Sequence, residues 1–420
     1  DALPGDATIV DGIANNDAGA GDVTYGGVEL TTPAGSFGND MATRFPGNSD
    51  PLSVSAWYNG DMDGGGDSTA YDVTQVSANF PTDGALTPGL PNVGTATAPS
   101  NANADFNGDG LTDYSVVSTN ALLGGPPQQL TWAIRENGSG TVTGFAWGLS
   151  SDIVTPGDFD GDDKADIAIW RPDAAGSAGF YILQSSDFSF RFEAFGQSGD
   201  DPRIVGDFDG DGIDDPAVFR NPLVAPATGA PQNTFFYRGS LNNPGGDTTF
   251  VPWGSGPVSA CPGDFDGDGK QDFCVFNAGG GGSALAPEGP PTSSLYSILR
   301  SSDFGVEYVT WGFNTDISVP GDYDGDGQTD FAAVRNNGGQ YDWYILERDG
   351  GGTGAAAISW GSASSDGFVP GDYDGDGSTD IAIWRSTTGE FWIRKSSDSG
   401  LIVEQWGQSG DIPVPTWRIP

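Results

Sequence analysis

From about residue 98 onward, short apolar runs recur in a fixed order between polar, glycine-rich stretches. One set reads Ile167-Ala-Ile-Trp170, Ala217-Val-Phe219, Phe273-Cys-Val-Phe276, Phe331-Ala-Ala-Val334 and Ile381-Ala-Ile-Trp384. A second reads Phe180-Tyr-Ile-Leu183, Leu295-Tyr-Ser-Ile-Leu299, Trp343-Tyr-Ile-Leu346 and Phe391-Trp-Ile393. A third ends in an aromatic residue and glycine: Trp147-Gly148, Phe195-Gly196, Trp253-Gly254, Trp311-Gly312, Trp360-Gly361 and Trp406-Gly407. A fourth, such as Val319-Pro-Gly-Asp322, leads into the next copy. The runs are too short for helices, rich in β-branched and aromatic residues, and bounded by turn formers, so they predict strands.

Between the fourth run and the first lies an acidic phrase that occurs six times. Its copies begin at Asp105, Asp158, Asp207, Asp264, Asp322 and Asp372, spaced 53, 49, 57, 58 and 50 residues apart. Four short strands per roughly 50 residues is the content of one propeller blade. A β-helix has shorter coils, and a β-sandwich needs about 100 residues per unit. The fold expected is therefore all-β, a β-propeller of four-stranded blades over residues 98–420. Residues 1–97 lack the clean repeat and read as a β-rich segment, supplying strands to a closing blade or an assembly arm. Candidate strands there are Val23–Leu30, Leu52–Tyr58 and Tyr71–Ala78, and residues 82–103 read as a linker. Asp61–Asp67 is a weak echo of the acidic phrase. Ile412–Pro415 resembles a strand that elsewhere leads into a loop. It is expected to pair with N-terminal strands and make seven blades, or six if that segment adds none.

Counted from its first aspartate, the phrase places side-chain oxygens at positions 1, 3, 5 and 9, and position 7 can offer a backbone carbonyl. The candidate ligands are Asp105, Asn107, Asp109, Leu111 and Asp113; Asp158, Asp160, Asp162, Lys164 and Asp166; Asp207, Asp209, Asp211, Ile213 and Asp215. In the later copies they are Asp264, Asp266, Asp268, Lys270 and Asp272; Asp322, Asp324, Asp326, Gln328 and Asp330; Asp372, Asp374, Asp376, Ser378 and Asp380. Hard oxygen ligands at this density on a flexible loop select Ca²⁺, so about six ions are expected. Glycine at position 6 permits the turn that wraps the chain. Asp163 occupies that position in the second loop and should strain it, and Asn107 is a neutral substitute at position 3. The loop is not an EF-hand: Val275 stands where the fourth copy would need a bidentate Glu.

Composition narrows the partners. Sixteen basic against 58 acidic residues give a net charge of −42, and only eight of the acids are Glu. Such a charge disfavours nucleic acid and anionic membranes and favours cations. The absence of His removes the usual general base and the commonest zinc ligand. No apolar run is long enough for a transmembrane helix. No leader is visible, and the chain is expected to begin at Asp1 after removal of one. Cys261 and Cys274 flank the fourth loop and are expected to form a disulfide across its neck, which suits an oxidising compartment.

The repeat resembles the FG-GAP/VCBS-type repeat, the blade of integrin α-chain-like propellers, over roughly residues 98–415. The resemblance implies an extracellular, calcium-binding propeller serving in adhesion, ligand binding or as a non-catalytic part of a larger secreted protein. The function expected is a non-enzymatic, calcium-stabilised structural or adhesive module, secreted or on the cell surface, with an extracellular protein or glycan as partner and self-assembly into fibres as an option. A propeller lectin is the alternative. A secreted hydrolase would need an acid/base pair outside the loops, which the sequence does not show.

Remaining motifs read as structural. Ser301-Ser-Asp303-Phe-Gly305, echoed by Ser396-Ser-Asp398-Ser-Gly400, resembles an Asp-box but fits a turn between strands. Asp152, Asp200, Asp316, Asp366 and Asp411 after the aromatic-Gly pairs read as turn or cap residues, and the repeated Trp as core. Asn137-Gly-Ser139 is a glycosylation sequon. The insertions Asn277–Pro291 and Leu223–Gln232 are candidate contact surfaces.

Overall fold

The structure is a computed structural model. It describes residues 104–119, 129–172, 178–221, 232–280, 292–348 and 357–414, with the backbone of five short strands between residues 2 and 32. The chain divides into two compact units, Asp1–Ala96 and Thr97–Pro420. The first contains the sheet Ala2–Leu3, Ala7–Val10 and Ile13–Asn16 and the strand pair Gly21–Tyr25 and Val28–Thr32. The single strand expected over Val23–Leu30 is thus two antiparallel strands, pairing Val23 with Leu30 and Tyr25 with Val28. Gly26-Gly27, between them, was the signal for that reversal. The other candidate strands and Asp61–Asp67 lie outside the described residues, as do most of the two insertions.

The second unit is a ring of six antiparallel blades. Blade 2 shows the plan. Ile153–Val154, Ile167–Arg171, Gly179–Leu183 and Phe190–Ala194 lie side by side in chain order. Blades 4, 5 and 6 repeat it from Ser259–Ala260, Ile317–Ser318 and Asp366–Phe368. Blade 3 has three strands, and the bridge Asp201–Phe219 stands where its first strand would be. In blades 2, 4, 5 and 6 the acidic loop connects the first and second strands, and in blades 1 and 3 it leads into the strand that matches the second. Second strands are buried along nearly their whole length, as Ile167–Trp170 is, whereas fourth strands alternate exposed and half-buried residues. The fourth strand is therefore the outer edge. The glycine of each aromatic-Gly pair holds a positive φ, between 80° at Gly312 and 110° at Gly407, which non-glycine residues resist.

Blade 1 is composite. Tyr114–Ser118, Gln129–Arg135 and Val142–Leu149 receive their missing first strand from Ile412–Pro413, which pairs with Val117 and Val116. The expected partner, an N-terminal strand, is displaced because the first repeat itself lacks a leading strand. Six apolar clusters fill the six joints between neighbouring blades. The last joins Val369, Trp384 and Phe391 of blade 6 to Tyr114 and Val116 of blade 1. Since blade 6 packs directly on blade 1, a seventh blade has no place in this ring. The aromatic-Gly tryptophans latch the joints, as the core reading expects. Half-buried Trp147, Trp253, Trp311, Trp360 and Trp406 donate their indole N–H to carbonyls of Tyr181, Ser297, Tyr344, Trp392 and Ala133 in the next blade. Blade 2 has Phe195 at this position, and the Arg238 guanidinium of blade 3 lies 5.1 Å over its ring.

Candidate metal centres

In every loop the first aspartate folds the backbone around itself. Asp264 Oδ1 accepts from the N–H of Gly267 (2.7 Å) and Asp268 (3.2 Å), and Oδ2 from Gly269 (2.8 Å). The ninth residue closes the loop, its Oδ2 accepting from the N–H of the second, as Asp272 does from Phe265 (2.9 Å). The glycine at position 6 is left-handed throughout, and Asp163 takes the same conformation at φ 62°, donating its N–H to Asp158 Oδ2.

This folding brings positions 1, 3 and 9 together. One carboxylate oxygen from each of Asp158, Asp160 and Asp166 lies within 4.8 Å of the others, and the same holds for Asp207, Asp209 and Asp215; Asp264, Asp266 and Asp272; Asp322, Asp324 and Asp330; and Asp372, Asp374 and Asp380. The first loop makes the same backbone bonds, with Asp105 Oδ1 accepting from Gly108 and Oδ2 from Gly110, Asp113 Oδ2 accepting from Phe106, and Asn107 at position 3. Position 5 stands aside from these triads, and its Oδ1 accepts the N–H of position 7, as Asp268 does from Lys270 (3.0 Å). Val275 is buried in the core, as its place outside an EF-hand pattern requires.

A cation fits these triads on two grounds. First, the Oδ1 atoms of Asp160, Asp209, Asp266 and Asp374, all at position 3, are buried and have no hydrogen-bond partner. A buried carboxylate oxygen without a partner is costly unless something positive meets it. Second, burial raises the ninth carboxyl in every loop: to about 7 for Asp113 and Asp330, about 6 for Asp166, Asp272 and Asp380, and about 8 for Asp215. Asp215 is highest because its Oδ1 lacks the backbone N–H that Asn137, Ser185, Ser301, Arg348 and Ser396 supply to the others. Burial also raises Asp158, Asp207, Asp264 and Asp372 at position 1. Each triad gathers negative charge faster than the fold neutralises it.

The Ser-Ser-Asp segments are turns between third and fourth strands, and they do more than reverse the chain. Ser301 Oγ donates to Asp268, and Ser302 Oγ to Asp266. Ser185 and Ser186 do the same for Asp162 and Asp160, and Ser396 and Ser397 for Asp376 and Asp374. These serines orient the loop carboxylates, and the recurrence of a Ser-Ser-Asp phrase after the second, fourth and sixth loops was the sequence signal. The aspartates after the aromatic-Gly pairs are caps, as expected: Asp316 Oδ2 accepts the Phe313 N–H at 2.7 Å. Four of them also hold an arginine that the sequence reading passed over. Asp152, Asp200, Asp316 and Asp366 form bidentate pairs with Arg171, Arg220, Arg335 and Arg385 at the ends of second strands. The sequon Asn137 is committed elsewhere: its Nδ2 donates to the carbonyls of Tyr373 (2.8 Å) and Thr112 (3.2 Å).

Cys261 and Cys274 are both buried. The Cys261 N–H donates to the Cys274 carbonyl, and their sulfurs are 2.7 Å apart. Thiol labelling of the unfolded, unreduced protein is expected to find neither cysteine reactive. Two labelled thiols would overturn the expectation of a disulfide, and with it one argument for an oxidising compartment.

A family model described as "FG-GAP-like repeat" matches residues 322–383, from the first aspartate of the fifth loop into the second strand of blade 6. Over these residues the chain carries an FG-GAP-like repeat, and its second unit is a β-propeller. No curated protein matches the sequence of this propeller. Among solved structures, the rhamnogalacturonan lyase YesW is similar over 72% of the chain and 64% of its own, at 13% identity and TM-score 0.31. A triple mutant of AofleA from Arthrobotrys oligospora is similar over 68% and 81%, at 8% identity and TM-score 0.35. The acylaminoacyl peptidase of Pyrococcus horikoshii is similar over 68% and 50%, at 11% identity and TM-score 0.36. The chain thus spans less than two thirds of the lyase and half of the peptidase, and likenesses this distant say nothing of activity.

Proposed function

We propose that the protein is a non-enzymatic, calcium-stabilised propeller acting outside the cell, secreted or surface-bound, as a structural or adhesive module that can assemble into fibres. The observation that carries the calcium reading is the row of buried, unpartnered position-3 oxygens, each facing two further carboxylates. Ca²⁺ would be held by positions 1, 3 and 9, with position 5 and the carbonyl of position 7 completing an oxygen shell. Its chemistry there is charge neutralisation and loop closure. The chain's own residues do the rest: serines and backbone N–H groups orient the carboxylates, and the Asp–Arg pairs lock the opposite ends of the strands.

The Asp–Arg pairs also support a non-enzymatic reading. Asp152, Asp316 and Asp366 have fully buried carboxylates, each held by two guanidinium nitrogens, so none is available as a general acid or base. A lectin with equivalent pockets would need one exposed aromatic position repeated around the ring. On the fourth strands the exposed residues instead vary, from Phe190 and Phe192 through Val306 and Tyr308 to Leu401 and Val403. Calorimetric titration is expected to count about six Ca²⁺ per chain; two or fewer would overturn the reading of each repeat as a site. Electron microscopy of the calcium-loaded protein would separate a lone ring from a fibre.

A further inference from the structure

The six loops are joined to one another. In each, the backbone N–H of position 8 donates to the carbonyl of position 1 in the loop before it. The bonds run from Ala165 to Asp105 (2.6 Å), Asp214 to Asp158 (2.6 Å), Gln271 to Asp207 (2.7 Å), Thr329 to Asp264 (2.5 Å) and Thr379 to Asp322 (2.6 Å). Thr112 of the first loop donates to Asp372 of the last (2.7 Å) and closes the circle. A second contact runs beside each bond, where the side chain at position 7 covers the position-4 glycine of the preceding loop. A Cβ on Gly161 would meet Ile213 at 3.0 Å, on Gly267 would meet Gln328 at 3.1 Å, and on Gly375 would meet Leu111 at 2.8 Å.

These joints link the groups that would hold the ions. Position 1 gives its carboxylate to its own loop and its carbonyl to the next. Position 8 lies between the position-7 carbonyl and the position-9 carboxylate, so each bond fixes backbone flanked by two ligands. We propose that the loops take up divalent cation as one coupled ring, in which filling a loop orders the ligand backbone of its neighbours and raises their affinity. The proposal rests on the calcium reading above and adds the coupling between sites. Two structural facts independent of the loop pattern point to a cation here: Asp209 and Asp215 are 2% and 1% exposed, and each has a buried Oδ1 without a partner.

The test is a calcium titration of the intact, metal-stripped chain, followed by heat and by exchange of the position-8 amides. Coupling gives a Hill coefficient clearly above 1, with all six amides gaining protection along equally steep curves. Asp266→Ala, which alters a ligand but no joint, should remove one ion and weaken binding by the other loops about fivefold or more. Six amides each titrating with a Hill coefficient of 1, or an Asp266→Ala protein that loses one ion and keeps the rest of its curve, would overturn the coupling and leave the calcium reading standing. No uptake of calcium at all would overturn both. Should Asp266→Ala fail to fold, the steepness of the wild-type amide curves decides alone.

Discussion

Metal-stripped protein should melt about 20 °C or more below the calcium-loaded form. A site that binds the folded chain and not the unfolded one stabilises by about 2.7 kcal/mol at a hundredfold excess over Kd. Several such sites together rival the typical net stability of a domain, about 5–15 kcal/mol. The apolar joints cannot make up the loss, because each serves only two neighbouring blades, and a loosened blade weakens both of its joints. Melting curves with and without chelator would check this. Asp266→Ala should lower the melting temperature in calcium and change it little in chelator. The second loop, with Asp163 in a conformation that glycine adopts more easily, should lose its ion among the first. A melting temperature unmoved by chelation would mean the ions are not structural, and the loops would then have to act as a calcium-dependent binding surface.

The pH dependence of stability should reverse sign between the two forms. In the cation-free fold the ninth carboxyls lie at about 6 to 8, above the unfolded value of 3.8. A group raised on folding binds its proton more tightly in the native state. Its contribution is therefore fully present below pH 4 and is lost as pH rises through 6 to 8. After allowance for screening this is roughly 1 kcal/mol per site, summed over six sites. The stripped protein should thus melt higher at pH 5 than at pH 8. With calcium bound the carboxylates are held ionised, protons compete with the ion, and the order inverts. Thermal melts of both forms at the two pH values test this. A stripped protein equally stable at both, or more stable at pH 8, would refute it. Calcium binding near pH 7 should also release protons, measurable as a dependence of binding heat on buffer.

The blade was legible because its information is local. Apolar runs, aromatic-Gly pairs and acidic loops each lie within a few residues, and six copies confirm one another. Positions 1, 3 and 9 of the loops were legible for the same reason. What escaped the reading depends on residues far apart in the chain. The blade number turned on where Ile412–Pro413 would pair. The clue was an absence: no aromatic-Gly pair stands 11 or 12 residues before Asp105, as one does before every later loop, so Tyr114–Ser118 lacked a leading strand. The arginine partners of Asp152, Asp200, Asp316 and Asp366 were visible as a recurrent Arg at the end of the second strand, 19 or 20 residues on. They went unread because a cap alone accounted for the aspartate. The backbone bonds between loops carry no side-chain signature, apart from glycines where a neighbour's side chain leaves no room. A further glycine precedes position 1 of the later loops, where a Cβ on Gly263 would meet Thr329 at 2.7 Å; before the first loop Ala104 stands in its place, and the facing position 8 is Ala165.

The pairing of Ile412–Pro413 with Val116 and Val117 sets the order in which the molecule can be made. On a ribosome, blades 2 to 5 can form as their residues emerge, each hairpin finding its partners within about 50 residues. Blade 1 must wait with an unpaired edge until nearly the whole ring has been synthesised, and the Thr112–Asp372 bond waits with it. Closure is the one step of high contact order in an assembly of otherwise local ones, and such contacts form slowly. Until it occurs, the open edge of Tyr114–Ser118 can accept a strand from any chain nearby. The interval between the emergence of blade 1 and the arrival of residue 412 is therefore the period in which this protein is most exposed to mispairing, and in which a second copy could exchange its terminal strand with the first.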